Sequence, residues 1–445
     1  MCFRGSALKK QDLDWIDDFM KRVKSHLFVR EEDSVLILPP NRVYKLNTSG
    51  LALVRFCKSG GRIGDIGEIE DEERILEVHN FFCDLKAFYS GCPELPDSRR
   101  AVESIPYGFD FTILPILGEI AVTYKCNNKC AFCYARCKPD NSAKELSTDD
   151  IKRIIDVFVT RAKIPFFSFT GGEPLIREDI DQLIWYATNR KIQVNLITNG
   201  TLATKKRVAE LAASGLKTVQ ISIEGPDESI HDALTQTDGS FVKTLEGIAN
   251  FRKKGISVQT NTTVNRLNLK VIDRLPEFLA SIGISRFSMN LFIPCGTGLD
   301  NTHLFLPYSE IPEVIESVRK KAERLGLVFY WYSPVPHCYY NPIAMGMGNK
   351  SCAAMDGLLS VSPGGEVLPC SSYPESMGNI LKDDFSEIWF SKRASFFKKK
   401  NFAPEECVAC SMFTACQSAC PLYWAFAGTD EIRAKKCTDN RTDRM

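Results

Sequence analysis

Apolar and polar residues alternate differently in three successive parts of the chain. The first part, up to about residue 95, contains short apolar runs typical of strands at 27–30, 34–38 and 43–46. Two helical patterns follow, at 50–57 and 73–89, and the second has apolar residues at near-helical spacing. The pattern predicts a small α+β unit, winged-helix-like in outline.

Residues 116–333 alternate strand-like and helix-like segments. Apolar strand patterns cover residues 119–124, 165–170, 191–198, 217–223, 256–264 and 285–292. Helical patterns lie near 147–162, 178–188, 202–213, 240–254 and 268–282. Such alternation predicts an α/β fold with parallel strands and outer helices. Six units are too few for the closed eight-stranded barrel, so we expect a partly open (β/α)6 barrel with its chemistry at the carboxyl ends of the strands.

Regular periodicity fades after Pro334. Residues 334–445 are rich in Gly, Pro and Cys, and such a segment is expected to need metal ligands to become ordered. The sequence therefore predicts an N-terminal unit at 1–95, a linker at 96–115, a barrel at 116–333 and a cysteine-rich domain at 334–445.

Composition and charge exclude several classes of protein. The 445 residues are 44% hydrophobic and 25% charged, which is typical of a soluble globular chain. The net charge of +1 gives no support for nucleic acid or a membrane surface as a partner. No stretch approaches the ~18 apolar residues of a membrane helix, and the first residues lack a signal-peptide core. We therefore expect a cytoplasmic protein. The run Lys398–Lys400 is expected to be a solvated face.

The 17 cysteines are the unusual feature. In a long cytosolic chain, clustered cysteines indicate metal binding or catalysis rather than disulfides. One short segment contains Cys126, Cys130, Cys133 and Cys137. The last quarter contains Cys338, Cys352, Cys370, Cys407, Cys410, Cys416, Cys420 and Cys437. The others, expected to be small buried hydrophobic residues, are Cys2, Cys57, Cys83, Cys92 and Cys295.

Cys126, Cys130 and Cys133 form a CxxxCxxC pattern just after the first strand of the predicted barrel. Three thiolates can hold three irons of a [4Fe–4S] cluster, which leaves the fourth iron open to a substrate or cofactor. Cys137 is the alternative fourth ligand and would close that position. A zinc site is the alternative use of the whole loop.

This loop resembles the signature of the radical S-adenosylmethionine (SAM) enzymes, with the aromatic residues Phe132 and Tyr134 on either side of Cys133. The resemblance implies that the open iron binds the amino and carboxylate groups of SAM. It also implies that reductive cleavage of SAM yields a 5′-deoxyadenosyl radical that abstracts a substrate hydrogen. The protein would supply placement, shielding and electrostatics.

Polar turns after the later strands extend the resemblance. Gly171, Gly172, Glu173 and Pro174 match the family's GGEP segment, in which Glu173 and the exposed backbone are expected to receive the SAM ammonium. The resemblance also implies SAM contacts from Asn199, Ser222, Glu224 and Asn261. One departure is Thr235, which stands where relatives often have an Arg facing the SAM carboxylate.

The C-terminal spacing carries a second resemblance. Cys352 is followed by twelve residues, Gly365, four residues and Cys370; then come Cys407-x2-Cys410-x5-Cys416-x3-Cys420 and, sixteen residues on, Cys437. This spacing resembles the SPASM extension and implies two auxiliary [4Fe–4S] clusters. The first would be held by Cys352, Cys370 and Cys420, and the second by Cys407, Cys410, Cys416 and Cys437. Cys338 is expected to complete the first cluster, whose fourth iron is otherwise open to substrate, and zinc ribbons are the alternative.

The N-terminal unit resembles PqqD-like peptide-recognition domains, which implies that an edge strand and a helix bind a precursor peptide by strand addition. A domain-packing module without a ligand is the alternative. The whole pattern favours an oxidoreductase, a radical SAM/SPASM maturase of a ribosomally made peptide, supplied with electrons by a ferredoxin or flavodoxin.

Three other functions remain open from the sequence. Tetrapyrrole tailoring, an oxidative decarboxylation of a haem precursor, gains nothing from the N-terminal unit. A sulfatase-type maturase is disfavoured because Ser371 stands where such relatives have an Asp. The non-enzymatic alternative is an iron–sulfur scaffold or electron carrier.

Overall fold

The computed structural model describes residues 8–39, 42–90, 111–140 and 144–435. The chain divides into two units, Met1–Leu114 and Pro115–Met445. Most of the predicted linker, residues 40 and 41, and Cys2, Cys92 and Cys437 lie outside the described residues.

The N-terminal unit combines a small antiparallel sheet with helices. Its strands are β1 (Phe28–Arg30), β2 (Val35–Leu38) and β3 (Arg42–Lys45), in that spatial order. Its α-helices are α1 (Trp15–Val23), α2 (Thr48–Ser59) and α3 (Glu72–Ser90). The strands and the last two helices were predicted, whereas α1 was not. The signal for α1 is its buried face of Ile16, Phe19, Met20 and Val23, which has helical spacing.

The second unit is built on one ten-stranded sheet. The six predicted parallel strands are confirmed as β4 (Leu117–Thr123), β5 (Phe166–Gly171), β6 (Gln193–Thr198), β7 (Thr218–Ser222), β8 (Ser257–Val264) and β9 (Arg286–Leu291). The sheet extends beyond them at both edges. The added strands are β10 (Val328–Trp331), parallel to β9, and β11 (Leu358–Val361), parallel to β4. Two short antiparallel strands follow β11: β12 (Glu366–Leu368) and β13 (Gly378–Asn379).

Helices connect the parallel strands. They are α4 (Thr148–Thr160), α5 (Ile180–Asn189), α6 (Lys205–Ala213), α7 (Glu228–Thr235), α8 (Ser240–Lys253), α9 (Leu275–Ser281) and α10 (Ile311–Arg324). Most of them bury an apolar face; for example, Phe158 of α4 packs edge-on against Phe167 of β5. Helix α7 was not predicted, and α9 is shorter than its predicted range because a 3-10 turn, Ile272–Arg274, precedes it.

The cysteine-rich region consists of short elements. Its helices are α11 (Phe385–Trp389), α12 (Lys392–Lys398), α13 (Glu405–Val408), α14 (Phe413–Cys416), α15 (Pro421–Ala427) and α16 (Asp430–Lys435). Because β11 pairs with β4, this region continues the barrel's sheet from the strand that leads into the CxxxCxxC loop. None of the helices in the described part of the chain has the length and apolarity needed to cross a bilayer.

Candidate active site

The CxxxCxxC loop leaves the carboxyl end of β4 and is held by the end of α7. The backbone N–H of Lys129 donates to the carbonyl of Thr235 at 3.1 Å, and that of Ala131 donates to the carbonyl of Leu234 at 2.9 Å. The Thr235 hydroxyl donates to the carbonyl of His231, in the same helix, at 3.0 Å. The residue that replaces the expected Arg therefore supports the loop through its main chain.

The three cysteines of the loop lie close enough to influence one another electrostatically. Burial raises the pKa of the Cys130 thiol, and the charges of Cys126 and Cys133 raise it further. Burial also raises the pKa of Cys126, to about 12. The fold therefore brings together the three thiols that the sequence assigned to one cluster.

The same loop offers little to a single metal ion. Across the described residues, no group of three or more His, Cys, Asp or Glu side chains is arranged to hold a metal ion. Zinc gathers its ligands around one atom at about 2.3 Å, whereas an iron–sulfur cube spreads its thiolates over separate irons.

Cys137, the alternative fourth ligand, is a hydrogen-bonding partner of Cys133. Its backbone N–H donates to the Cys133 sulfur at 3.3 Å. Its thiol also donates to that sulfur, and this hydrogen bond lowers the pKa of Cys133. Cys137 is buried, and its hydrogen bonds favour the thiolate form of Cys133.

Gly171 and Gly172 allow the GGEP turn to press against the start of the loop. A Cβ atom on Gly171 would lie 2.1 Å from the carbonyl oxygen of Thr123, and one on Gly172 would lie 2.2 Å from that of Lys125. Backbone N–H groups bond the same carbonyls, Gly172 to Thr123 at 2.7 Å and Glu173 to Lys125 at 2.9 Å. These glycines therefore permit a close approach of protein backbone. Pro174 then begins a 3-10 turn.

Glu173 is fully buried, and its carboxylate is surrounded by protein donors. It accepts hydrogen bonds from Leu175 N–H at 2.9 Å, the Thr198 hydroxyl at 2.7 Å and Asn199 N–H at 2.8 Å. Burial raises its pKa to about 7. The carboxylate therefore joins the ends of β5 and β6, and its expected contact with the SAM ammonium stays a prediction.

Asn199 carries that connection on to the cysteine loop. Its amide nitrogen lies 3.9 Å from the Cys126 sulfur and donates to the Asn127 side chain at 3.0 Å. Its amide oxygen accepts from the backbone of Thr201 at 2.9 Å. A continuous set of hydrogen bonds therefore runs from Glu173 to the first cysteine of the loop.

Ser222 is the last residue of β7, Glu224 follows it closely in sequence, and Asn261 lies within β8. The Glu224 carboxylate is buried, accepts from Thr263 N–H at 2.9 Å, and has its pKa raised by burial to about 8. Its charge acts on Cys130, so it faces the cysteine loop. Ser222 pairs in register with Asn261, whose amide donates to Asn290 at 2.7 Å. These side chains form a polar rim that suits the hydroxyl and amino groups of SAM.

The aromatic residues of the loop fix its position. The Tyr134 hydroxyl donates to the Gly171 carbonyl at 3.2 Å. Phe132 packs against an apolar cluster that includes Leu234 and Phe292. Asn128 lies between Cys126 and Cys130 in the sequence and is buried. Neither its amide nitrogen nor its amide oxygen has a hydrogen-bonding partner among the described residues. Buried polar atoms are rarely left unpaired, so Asn128 fits a loop that encloses a further polar group.

The C-terminal cysteines divide into two groups, as the SPASM spacing implied. Burial raises the pKa of Cys370, and the charges of Cys352 and Cys420 add to that shift. In the other group, Cys416 has its pKa raised to about 11 by burial, and the charges of Cys407 and Cys410 contribute. Within the described residues, each group contains three of the implied ligands.

The residue before Cys338 contacts the second group, whereas the sequence assigned Cys338 to the first, and that assignment stays a prediction. The backbone N–H of the preceding residue, His337, donates to the Cys416 sulfur at 3.2 Å. Cys295 lies on the side of the first group, since its charge acts on Cys420. Burial raises the pKa of Cys295 to about 11, and a hydrogen bond with Ser372 opposes that shift. Nothing in the spacing of Cys295 indicated this position.

Glu119 of β4 is a further carboxylate that the sequence did not single out. It accepts hydrogen bonds from the Ser360 hydroxyl at 2.6 Å and from Ser371 N–H at 3.1 Å. Burial raises its pKa, and its charge acts on Cys370. A carboxylate therefore does stand beside Ser371, but it comes from the barrel's first strand. Only the pairing of β4 with β11 reveals it.

Comparison with known proteins agrees with this geometry. Residues 120–279 match the model of the radical SAM superfamily, and residues 352–411 match that of the SPASM iron–sulfur cluster-binding domain. The chain is 30% identical to the AdoMet-dependent heme synthase of Nitratidesulfovibrio vulgaris, over 66% of this chain and 84% of that protein. It is 29% identical to the mycofactocin maturase MftC of Mycolicibacterium smegmatis, over 74% of this chain and 83% of that protein.

Among solved structures, SuiB of Streptococcus suis bound to its precursor peptide SuiA has a TM-score of 0.65 and 17% identity, over 90% of this chain and 95% of that chain. The chain belongs to the radical SAM superfamily. Within it, the chain is a SPASM-containing enzyme that uses SAM, a [4Fe–4S] cluster and auxiliary iron–sulfur clusters. When bound, the first cluster supplies the electron for reductive SAM cleavage.

Proposed function

We propose that this enzyme modifies a ribosomally made precursor peptide. The observation that carries the proposal is the open edge of β3 in the N-terminal unit. Among the described residues, β3 pairs with β2 on one side and with no strand on the other. An edge strand of this kind binds an extended peptide by adding it as a further strand.

The hydrogen-bonding groups of that edge can be assigned from the register. Leu46 N–H donates to the Ser34 carbonyl at 2.8 Å, and Tyr44 pairs with Leu36. Because the pattern of an antiparallel ladder alternates, the N–H groups of Val43 and Lys45 point away from β2. Tyr44 also stacks on Phe88 of α3 at 4.6 Å, which places a helix beside the same strand.

The polar side chains on the inner face of the barrel also favour a peptide as the substrate. Glu119, Ser168 and Asn195 lie in register on neighbouring strands, and Asn195 donates to Ser168 at 3.2 Å. On the far side, Gln259 donates to Ser288 at 3.1 Å and to the Tyr332 hydroxyl at 2.7 Å. Amides and hydroxyls match the donors and acceptors of a peptide.

The extent of the structural similarity gives further support. The similarity to SuiB covers 90% of this chain, more than the Pro115–Met445 unit alone supplies, so it reaches into the N-terminal unit. SuiB was solved with a precursor peptide bound. The second candidate function is tetrapyrrole tailoring, which the 30% identity to a heme synthase over 66% of this chain favours.

The assignment of ligands is part of the proposal. Cys126, Cys130 and Cys133 hold the SAM-binding cluster, with Ser222, Glu224 and Asn261 around SAM and with Glu173 and Asn199 positioning the loop. Cys352, Cys370 and Cys420 hold the first auxiliary cluster. Cys407, Cys410, Cys416 and Cys437 hold the second. We place the enzyme in the cytoplasm, where thiols stay reduced and a ferredoxin or flavodoxin supplies electrons.

The test uses anaerobically reconstituted full-length protein with SAM, dithionite and short peptides encoded beside its gene. We expect 5′-deoxyadenosine to form and one peptide to change in mass. Replacing Cys126, Cys130 and Cys133 together by Ala should abolish SAM cleavage but leave the auxiliary iron, whereas Cys83→Ala in the N-terminal unit should change neither. A haem precursor altered with SAM turnover, while every peptide stays unmodified, would establish the tetrapyrrole function instead.

A further inference from the structure

A buried ion pair lies against the first group of C-terminal cysteines. Lys400 is 0% exposed and Asp356 is 8% exposed. The Lys400 ammonium lies 2.8 Å from the Asp356 carboxylate and donates to the carbonyl oxygen of Cys352 at 2.6 Å. The sequence predicted that this lysine run is a solvated face, and for Lys400 that prediction is wrong.

The fold places Lys400 inward through an unusual backbone conformation. Lys400 follows the end of α12 and has φ +56°, in the left-handed region that a side chain other than glycine rarely adopts. Its neighbour Lys399 is exposed. A charged side chain is seldom buried unless a partner or a function requires it, so the inward turn of Lys400 calls for an explanation.

The two members of the ion pair are placed differently relative to Cys352. The Lys400 ammonium donates directly to the main chain of Cys352, and the Asp356 carboxylate accepts from that ammonium. The positive member of the pair is therefore the one that contacts this ligand.

We propose that Lys400 is a positioning residue whose buried charge raises the reduction potential of the first auxiliary cluster. The inference rests on the proposed function in one respect, the ligation of that cluster by Cys352. One-electron reduction adds a negative charge to the cluster and breaks no bond. A fixed cation at short range in a low-dielectric interior stabilises that added charge, and local charge is one of the factors that set cluster potentials.

The experiment is a dithionite redox titration of the auxiliary clusters, followed by EPR, in full-length reconstituted protein. Replacing Cys126, Cys130 and Cys133 by Ala removes the SAM-binding cluster from the spectra. Lys400→Met should shift the midpoint of one auxiliary signal to lower potential, and Asp356→Asn should shift the same signal to higher potential. Lys400→Arg should restore the wild-type value. Lys399→Met, which removes an exposed charge next in sequence, should leave both midpoints unchanged.

Opposite shifts from the two partners distinguish a field effect from damage to the fold. An unchanged midpoint in Asp356→Asn overturns the inference, even if Lys400→Met fails to fold. Shifts in the same direction for both variants, or a shift equalled by Lys399→Met, also overturn it. Failure of the ligand assignment has a different signature: the Cys352→Ala, Cys370→Ala, Cys420→Ala protein would then retain the iron of both auxiliary clusters.

Discussion

At the scale of single residues, the position of the cysteine loop depends on a glycine at which no side chain fits. Gly171 has φ +130°, and a Cβ atom there would lie 2.1 Å from the Thr123 carbonyl oxygen. Both the backbone conformation and the space therefore exclude a side chain. The constraint comes from packing within the protein, so it applies even before any cofactor binds.

We expect Gly171→Ala to lower the free energy of unfolding by about 3 kcal/mol, because a strained φ and a backbone overlap add. Thermal unfolding of anaerobic protein measures the effect, and iron content should fall with it. The matched control is Gly357→Ala, where the nearest heavy atom to the new Cβ is 3.9 Å away. Equal stability of the two variants would show that the close approach to Thr123 imposes no constraint.

Glu173 gives a second prediction at this scale. Glu173→Gln keeps the size of the side chain but turns an amide donor toward Leu175, Thr198 or Asn199, all of which already donate. Leaving such a buried group unpaired costs about 1–3 kcal/mol. We expect lower thermal stability together with slower SAM cleavage, and no change for the exposed control Glu178→Gln. Slower cleavage with full stability would instead mean that Glu173 acts directly on the cofactor.

At the scale of secondary structure, helix α7 holds the loop through its main chain. Its last carbonyls bond the loop at Lys129 and Ala131. Its Asp232 caps the following helix, α8, accepting from Gly239 N–H at 2.6 Å and from Phe241 N–H at 2.8 Å. One carboxylate therefore couples the start of α8 to the helix that holds the loop.

Removing that cap should weaken both elements. We expect Asp232→Asn to cost about 1 kcal/mol of stability, as is usual for a lost cap, and to release iron faster. Burial raises the pKa of Asp232, but hydrogen bonds from Phe241, Ser240 and Gly239 outweigh it and lower the pKa overall. The stabilisation is therefore present above about pH 4 and is lost as the carboxylate protonates at lower pH. Urea unfolding at several pH values measures this. The exposed control Asp238→Asn should match the wild type, and a cost that does not shrink as the pH falls below about 4 would argue against the charge.

At the scale of the whole molecule, the sequence predicts the features that repeat along the chain and those that depend only on neighbouring residues. The six strands β4–β9 follow from apolar runs, and the cysteine groups follow from their spacing. Strands β10 and β11 have only four residues each, and pairing with a distant strand is what defines them. For the same reason, the positions of Glu119 and Lys400 follow from tertiary contacts that neighbouring residues do not reveal.

The edge of β3 gives the test of how the N-terminal unit contributes to the whole enzyme. Val43→Pro removes an N–H that points away from β2, so the three-stranded sheet keeps its own hydrogen bonds, as edge strands with proline do. We expect SAM cleavage without peptide to be unchanged and the KM for the precursor peptide to rise at least about tenfold, which corresponds to about 1.4 kcal/mol. Val43→Thr retains the N–H and the branched shape, and it should behave as the wild type. If Val43→Pro modifies the peptide with an unchanged KM, strand addition at β3 is not the mode of peptide binding.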